Sequence, residues 1–174
     1  MSSKPRPPHA LRLAIGLGAI SIVLVDQFTK WWAETTLELY DYNPVIGDLL
    51  GWRLVYNPGA AFGLASGFTW VLTILAAAAV VGLTIFALRN KDSWWGVGIA
   101  ALLGGAISHL GDRLFREPGF AVGHIVDFID YAGFFVGNVA DIFLVGGAIF
   151  LVLLSIFRPE LSESEPDVPL AQEN

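Results

Sequence analysis

The sequence predicts an all-α membrane protein of four transmembrane helices. Three observations carry that prediction. Hydrophobic residues make up 55% of the chain and charged residues only 15%, with a mean hydropathy of +0.61; a soluble domain carries about 25% charged residues. The apolar residues fall into four runs, and roughly 20 helical residues cross about 30 Å of hydrocarbon. The unusual polar residues gather where alternate run ends meet.

The first run is Leu11 to Trp32, interrupted by Arg12, Asp26, Gln27 and Lys30. Its basic start resembles a signal peptide. Where small residues of a cleavage site should follow, Asp26-Gln27-Phe28-Thr29-Lys30-Trp31-Trp32 stands instead, so the run is expected to stay as an uncleaved helix. The second run, Phe68 to Leu88, has no charge. The third, Trp94 to Leu110, is rich in Gly and Ala. The fourth, Phe134 to Phe157, is broken by Asn138 and Asp141. Together 11–157 reads as one domain. Residues 1–10 read as a loose basic arm, and 158–174 as an acidic tail too poor in apolar residues to order itself.

The net charge of −6 is weighted by that tail, which holds five of the sixteen acids, so it does not argue for a cationic partner. Nothing points to nucleic acid. Four spans put both termini on one side, together with Lys4, Arg6, Arg12, Arg89, Lys91 and Arg158. Lys30, Arg53, Arg113 and Arg116 fall on the other. This asymmetry predicts cytoplasmic termini. Trp31-Trp32 and Trp94-Trp95 suit the aromatic belts at the two interfaces.

Up-down threading brings four element ends together on the outer side. They carry Asp26, Gln27 and Lys30; Asn57-Pro58-Gly59-Ala60-Ala61-Phe62-Gly63; Ser108, His109, Asp112 and Arg113; and Asp127, Asp130, Asn138 and Asp141. Depth follows from the helix rise. Ile142 to Phe157 spans about 24 Å, which leaves Asp141 about 6 Å below the outer boundary. Asp26 lies about 21 Å past Arg12. An ionisable group at such depth costs roughly 2.5 kcal/mol or more unless satisfied, and so marks a functional site.

Plainer readings stand beside this one. Asp26 and Lys30, at i and i+4, can pair on one helix face. Asp112 beside Arg113 reads as an interfacial ion pair, and Asp130 as a solvated loop carboxylate. Asn57-Pro58-Gly59 is also a good turn. Glycines 104, 105, 146 and 147 read as close-packing positions. Adjacent Ser108 and His109 point to different helix faces.

The chain has no cysteine, which excludes thiol nucleophiles and disulfides. No set of histidines is spaced for a metal. Paired carboxylates remain: two close Asp residues share one proton, so one can activate water while the other protonates a leaving group. Spacing alone leaves open which aspartates pair.

Five ordered segments carry a resemblance. They are Asp26-Gln27-Phe28-Thr29-Lys30, Asn57 to Gly63, Gly105-Ala106-Ile107-Ser108-His109-Leu110-Gly111-Asp112-Arg113, Val126-Asp127-Phe128-Ile129-Asp130, and Asn138-Val139-Ala140-Asp141. In order, on four hydrophobic spans, they resemble lipoprotein signal peptidase, also called signal peptidase II. The resemblance implies an intramembrane aspartyl endopeptidase of the bacterial cytoplasmic membrane, needing no cofactor. Its substrate would be a prolipoprotein, cut just before the diacylglyceryl-modified cysteine of its lipobox. Asp127 and Asp141 would be catalytic. Asp26, Lys30, Asn57, Gly63, His109, Asp112, Arg113 and Asn138 would shape the site or hold substrate. The resemblance further implies a small extracytoplasmic β-cradle between helices 1 and 2, about Leu37 to Asn57, contact with membrane lipid, and inhibition by the cyclic peptide globomycin.

One departure is visible. Where the family usually has Gly-Asn, this chain has Ser108-His109. An imidazolium there would work against a shared proton, so His109 is expected to act as a neutral hydrogen-bond partner. The competing reading is a proton-coupled carrier using Asp26 and Asp141 as relays. Carrier sites lie near the midplane within repeated halves, and this chain shows no repeat. A non-enzymatic membrane scaffold would leave the polar cluster unexplained.

Overall fold

The computed structural model describes residues 8–59 and 66–158 of the chain. Gly63, most of the basic arm and nearly all of the acidic tail lie outside the described residues. Four long helices dominate: α1 (Pro8–Thr36), α2 (Thr69–Arg89), α3 (Ser93–Phe115) and α4 (Val139–Phe157). All four are long and apolar enough to cross a membrane. Most of their large side chains, such as Leu24, Ile74, Val97 and Val152, remain exposed in the isolated chain. In a bilayer those side chains face lipid, where exposure carries no penalty.

The helices sit closely because small residues separate them. α3 is central and packs against α1, α2 and α4. A Cβ on Gly104 would come within 2.8 Å of the Ala19 carbonyl and of Ile22 Cβ. One on Gly105 would come within 2.6 Å of Leu144 Cγ and 2.9 Å of the Ala140 carbonyl. Gly147 similarly abuts Ala101. Such glycines let helix backbones approach in lipid, where packing rather than water exclusion holds helices together. Gly146 departs from the expectation: nothing lies within 4 Å of its would-be Cβ, because it falls on a different side of α4 from Gly147.

A four-stranded antiparallel sheet, ordered β1-β2-β3-β4, covers one end of the bundle. β1 (Asn43–Ile46) and β2 (Leu50–Asn57) lie between α1 and α2, inside the stretch expected to form a cradle. β3 (Ile125–Tyr131) and β4 (Phe135–Gly137) come from the α3–α4 connection, where the apolar pattern gives no sign of strands. The fourth apolar run therefore divides. Phe135–Gly137 is strand, and the helix starts only at Val139.

β3 enters the sheet because both its faces are covered. Every residue from Ile125 to Asp130 is buried. Trp32 at the end of α1 packs edge-on against Trp52 of β2 (centroids 5.5 Å) and Phe128 of β3 (6.1 Å). This aromatic cluster ties the sheet to α1 and sets the position of Asp127 next door. The β3–β4 turn has positive φ at Ala132 (54°) and Gly133 (74°), closed by the Phe134 amide donating to the Tyr131 carbonyl. Two consecutive left-handed residues match the twist of a tight hairpin.

Candidate active site

A ladder of charges fastens the helices at the sheet end. Lys30 is fully buried, with its Nζ 2.7 Å from both Asp26 Oδ2 and Asp112 Oδ2. Asp26 also accepts from the Ser108 hydroxyl (2.6 Å) and, through Oδ1, from the Ala140 amide (2.8 Å). One carboxylate thus joins α1, α3 and the start of α4. Asp112 accepts from Gln27 (2.8 Å) and from Arg116 Nε (2.7 Å), and Arg116 Nη1 donates to both oxygens of Glu34. The expected Asp26–Lys30 pairing is present, extended by a third member. Removing one partner from such a buried set strands an uncompensated charge and costs roughly 3–5 kcal/mol.

Two expectations are corrected. Asp112 pairs with Lys30 and Arg116 rather than with its neighbour Arg113, because successive helical residues point about 100° apart. Arg113 instead donates to the carbonyls of Asn57 (3.1 Å), Pro58 (3.1 Å), Gly59 and Gly123 (2.9 Å). It thereby shapes the turn after β2. Asp130 is not solvated: it is fully buried on β3, accepts from the Gly133 amide at 2.6 Å, and faces Arg53 Nε at 3.1 Å. Strand pairing, invisible in the hydrophobic pattern, carries it inside.

Above the ladder, Asp127 and Asp141 line one cavity of about 440 Å³ with Asn57, His109 and Arg113. Leu72 and Ala76 of α2 and Leu144 and Val145 of α4 form its apolar walls. Asp127 lies on β3, paired in register with Val55. Its Oδ2 accepts from Asn57 Nδ2 (2.9 Å) and its Oδ1 from Asn138 Nδ2 (2.7 Å). Asn57 is held in turn by its Oδ1, which accepts the Gly59 amide (2.9 Å). Burial pushes Asp127 up to about 7; the Asn57 and Asn138 donors oppose that, and the nearby Asp141 charge adds to it.

Asn138 connects the two carboxylates. It is the N-cap of α4 and forms a capping box with Asp141. Asn138 Oδ1 accepts the Asp141 amide (3.1 Å), and Asp141 Oδ2 accepts the Asn138 amide (2.9 Å). Asp141 therefore sits in the first turn of α4, held by the cap. Its side chain is 35% exposed, with Oδ1 3.5 Å from His109 Nε2. The same nitrogen lies 3.2 Å from Asn138 Oδ1.

Nine of the ten residues singled out in the sequence thus converge here, and Gly63 lies outside the described residues. Gln27, Glu34, Ser108 and Arg116 belong to the same network, although the sequence motifs assign them no role. The i,i+4 spacing of Asp112 and Arg116 is the signal that points to Arg116.

The signal peptidase II (SPase II) family model matches residues 18–157. The chain belongs to the signal peptidase II family. Among its relatives, a lipoprotein signal peptidase of Mycobacterium avium (strain 104) is 47% identical over 152 residues, covering 87% of this chain and 83% of that one. The counterpart of Mycobacterium tuberculosis (strain ATCC 25618 / H37Rv) is 45% identical, covering 88% and 75%. That of Rhodococcus jostii (strain RHA1) is 41% identical, covering 91% and 81%. Two bacterial membrane enzyme structures obtained by the in meso method superpose with TM-scores of 0.75 and 0.71, at 27% and 28% identity. They cover 88% and 83% of this chain and 93% of each solved chain. As a member of the signal peptidase II family the chain is a membrane-embedded protease, and the cavity at the sheet end of its bundle is the candidate place for its chemistry.

Proposed function

We propose that this chain is an intramembrane aspartyl endopeptidase that removes signal peptides from prolipoproteins. It cuts just before the diacylglyceryl-modified lipobox cysteine, with Asp127 and Asp141 as the catalytic pair. The observation that carries this reading is one largely apolar cavity lined by both carboxyl groups, each held by Asn138: its side-chain amide donates to Asp127 and its backbone amide to Asp141. A dyad that shares one proton has an ionised member to take a proton from water as it attacks the scissile carbonyl. The protonated member then gives its proton to the departing amine. Asn57 and Asn138 hold Asp127, and the capping box holds Asp141, so neither carboxyl reorganises during the reaction.

Asp26, Lys30, Asp112 and Arg113 keep the four ends together and shape the site. The apolar walls from α2 and α4 suit a signal peptide segment that stays in lipid. The same cavity would take globomycin. Both termini are cytoplasmic in this reading, and the site faces the outer leaflet of the bacterial inner membrane. The polar residues collect at one end of the bundle, which favours a protease over a proton-coupled carrier working at the midplane.

Purified wild type, Asp127→Asn, Asp141→Asn and Asp130→Asn, assayed on a lipid-modified precursor, test this. Each dyad variant is expected to lose at least roughly a hundredfold in turnover, with unchanged insertion and folding. Asp130→Asn should stay within a few fold of wild type. Near-normal turnover in either dyad variant would discard the assignment, and a dead Asp130→Asn beside an active Asp127→Asn would move the pair.

A further inference from the structure

His109 lies between the two helices that frame the cavity, and the hydrogen bonds around Asn138 define what it does there. An amide has two donor hydrogens and two acceptor lone pairs. Asn138 Nδ2 donates to Asp127 Oδ1 (2.7 Å) and to the Val126 carbonyl (3.4 Å). Its Oδ1 accepts the Asp141 amide (3.1 Å), which leaves one lone pair, and His109 Nε2 lies on it at 3.2 Å. An amide oxygen only accepts, so Nε2 carries the hydrogen. That fixes the tautomer and completes the fourfold bonding of Asn138. The Asp141 backbone amide fixes which way Asn138 faces, since a flipped side chain would set its NH2 against that donor.

We propose that His109 is a positioning residue for the aspartyl dyad, acting through Asn138, and that its second protonation switches the dyad off at acidic pH. The proposal rests on the catalytic reading of Asp127 and Asp141. In the neutral form the Nε2 hydrogen serves Asn138, and Asp141 Oδ1 at 3.5 Å stays free to take part in proton sharing. A doubly protonated ring puts a full charge beside Asp141. The ion pair then occupies Asp141 Oδ1, the oxygen that would otherwise take a proton from the attacking water. Among the described residues, Asp141 on α4, Asp127 on β3 and Arg113 on its own helix line the cavity with it. On α1, Asp26 and Lys30 are committed to each other, to Ser108 and to Asp112. α2 presents Leu72 and Ala76 to the cavity.

Reach separates the replacements. A glutamine places its side-chain nitrogen where imidazole has Nε2, whereas an asparagine amide ends where imidazole has Nδ1. His109→Gln would therefore keep the bond to Asn138, and its amide cannot take a second proton. His109→Asn would reach Asn138 only after a shift of α3 against α4.

The test is a pH profile of kcat and KM on a lipid-modified precursor, for purified wild type, His109→Gln, His109→Asn, His109→Ala and Asp141→Asn. Thermal unfolding of each variant is measured alongside. His109→Ala is expected to lose roughly tenfold in kcat near neutral pH, the effect of one hydrogen bond, with KM within twofold. His109→Gln should restore most of that loss and carry the acid limb of kcat to lower pH than wild type. His109→Asn should fall between the glutamine and alanine variants. If the acid limb stays where it is in His109→Gln, the protonation switch is wrong. If His109→Ala matches wild type in kcat while Asp141→Asn is dead, His109 has no positioning role and the dyad reading stands. If Asp141→Asn is as active as wild type, the dyad reading itself fails, and this inference with it.

Discussion

At Asp127 two opposed effects act on one carboxylate. Burial favours the neutral form, while two amide donors, Asn57 and Asn138, favour the charged one; burial prevails and the group is pushed up to about 7. The consequence for stability has a definite sign. An aspartate raised above its unfolded value of 3.8 is protonated in the folded chain and ionised in the unfolded chain across the interval between. Stability from this group is fully present below about 4 and is lost as pH rises towards about 7. Asp127→Asn cannot titrate. The unfolding temperature of the variant minus that of wild type should therefore grow more positive from pH 4 to pH 7 and level off above. A difference that stays flat across that interval would show that Asp127 is not held neutral. At this scale the sequence is legible where partners share a helix, as with Asp26 and Lys30. It is not where a strand intervenes. The burial of Asp130 and the turn-shaping role of Arg113 both depend on β-pairing and loop carbonyls that have no hydrophobic signature.

The contact between α3 and α4 sets the geometry of the proposed dyad at the scale of elements. Asp141 and Asn138 sit at the start of α4, whose position relative to His109 depends on how closely the two helices pack. Gly105 governs that distance, since a Cβ there would lie 2.9 Å from the Ala140 carbonyl and 2.6 Å from Leu144 Cγ. The leucine can rotate, but the backbone carbonyl cannot. Gly105→Ala should therefore push the start of α4 away, at a cost of roughly 1–3 kcal/mol for overpacking, and lower kcat through the displaced capping box. Gly146→Ala, on the same pair of helices but with nothing within 4 Å, is the matched control and should keep both stability and activity. Equal effects of the two substitutions on unfolding temperature and kcat would mean that α4 adjusts freely and does not position the dyad. Helix existence is legible from the apolar runs to within a few residues. The start of α4 is not, because Phe134 to Val136 are as apolar as the helix, and hydropathy does not register that Gly137-Asn138 ends a strand and caps a helix.

The whole molecule is organised by one asymmetry: a buried charge ladder, the sheet and the cavity all occupy the same end of the bundle. The gathering of charge at one end is legible from the positions of the acids, since an ionisable group in a span needs partners and the partners lie at matching heights; the sheet is not, because its strands show no alternation. Which end faces out is a separate matter, and it turns on charge. By sequence, six basic residues fall on the side of the termini and four on the other, and Arg89 and Lys91 flank the short α2–α3 connection, where positive charge resists translocation most strongly. Two of the four at the sheet end, Lys30 and Arg116, are engaged by Asp26, Asp112 and Glu34, which blunts whatever contrary bias they carry. The expected orientation has Asn43 on β1 outside and Ser93 at the start of α3 in the cytoplasm. The chain has no cysteine of its own, so Asn43→Cys and Ser93→Cys each provide a single reporter, and both positions are exposed in the fold. A membrane-impermeant thiol reagent applied to intact cells should label the cysteine at position 43 and not that at 93, with both labelled after the membrane is opened. Labelling of position 93 alone in intact cells would invert the molecule and put the cavity on the cytoplasmic side.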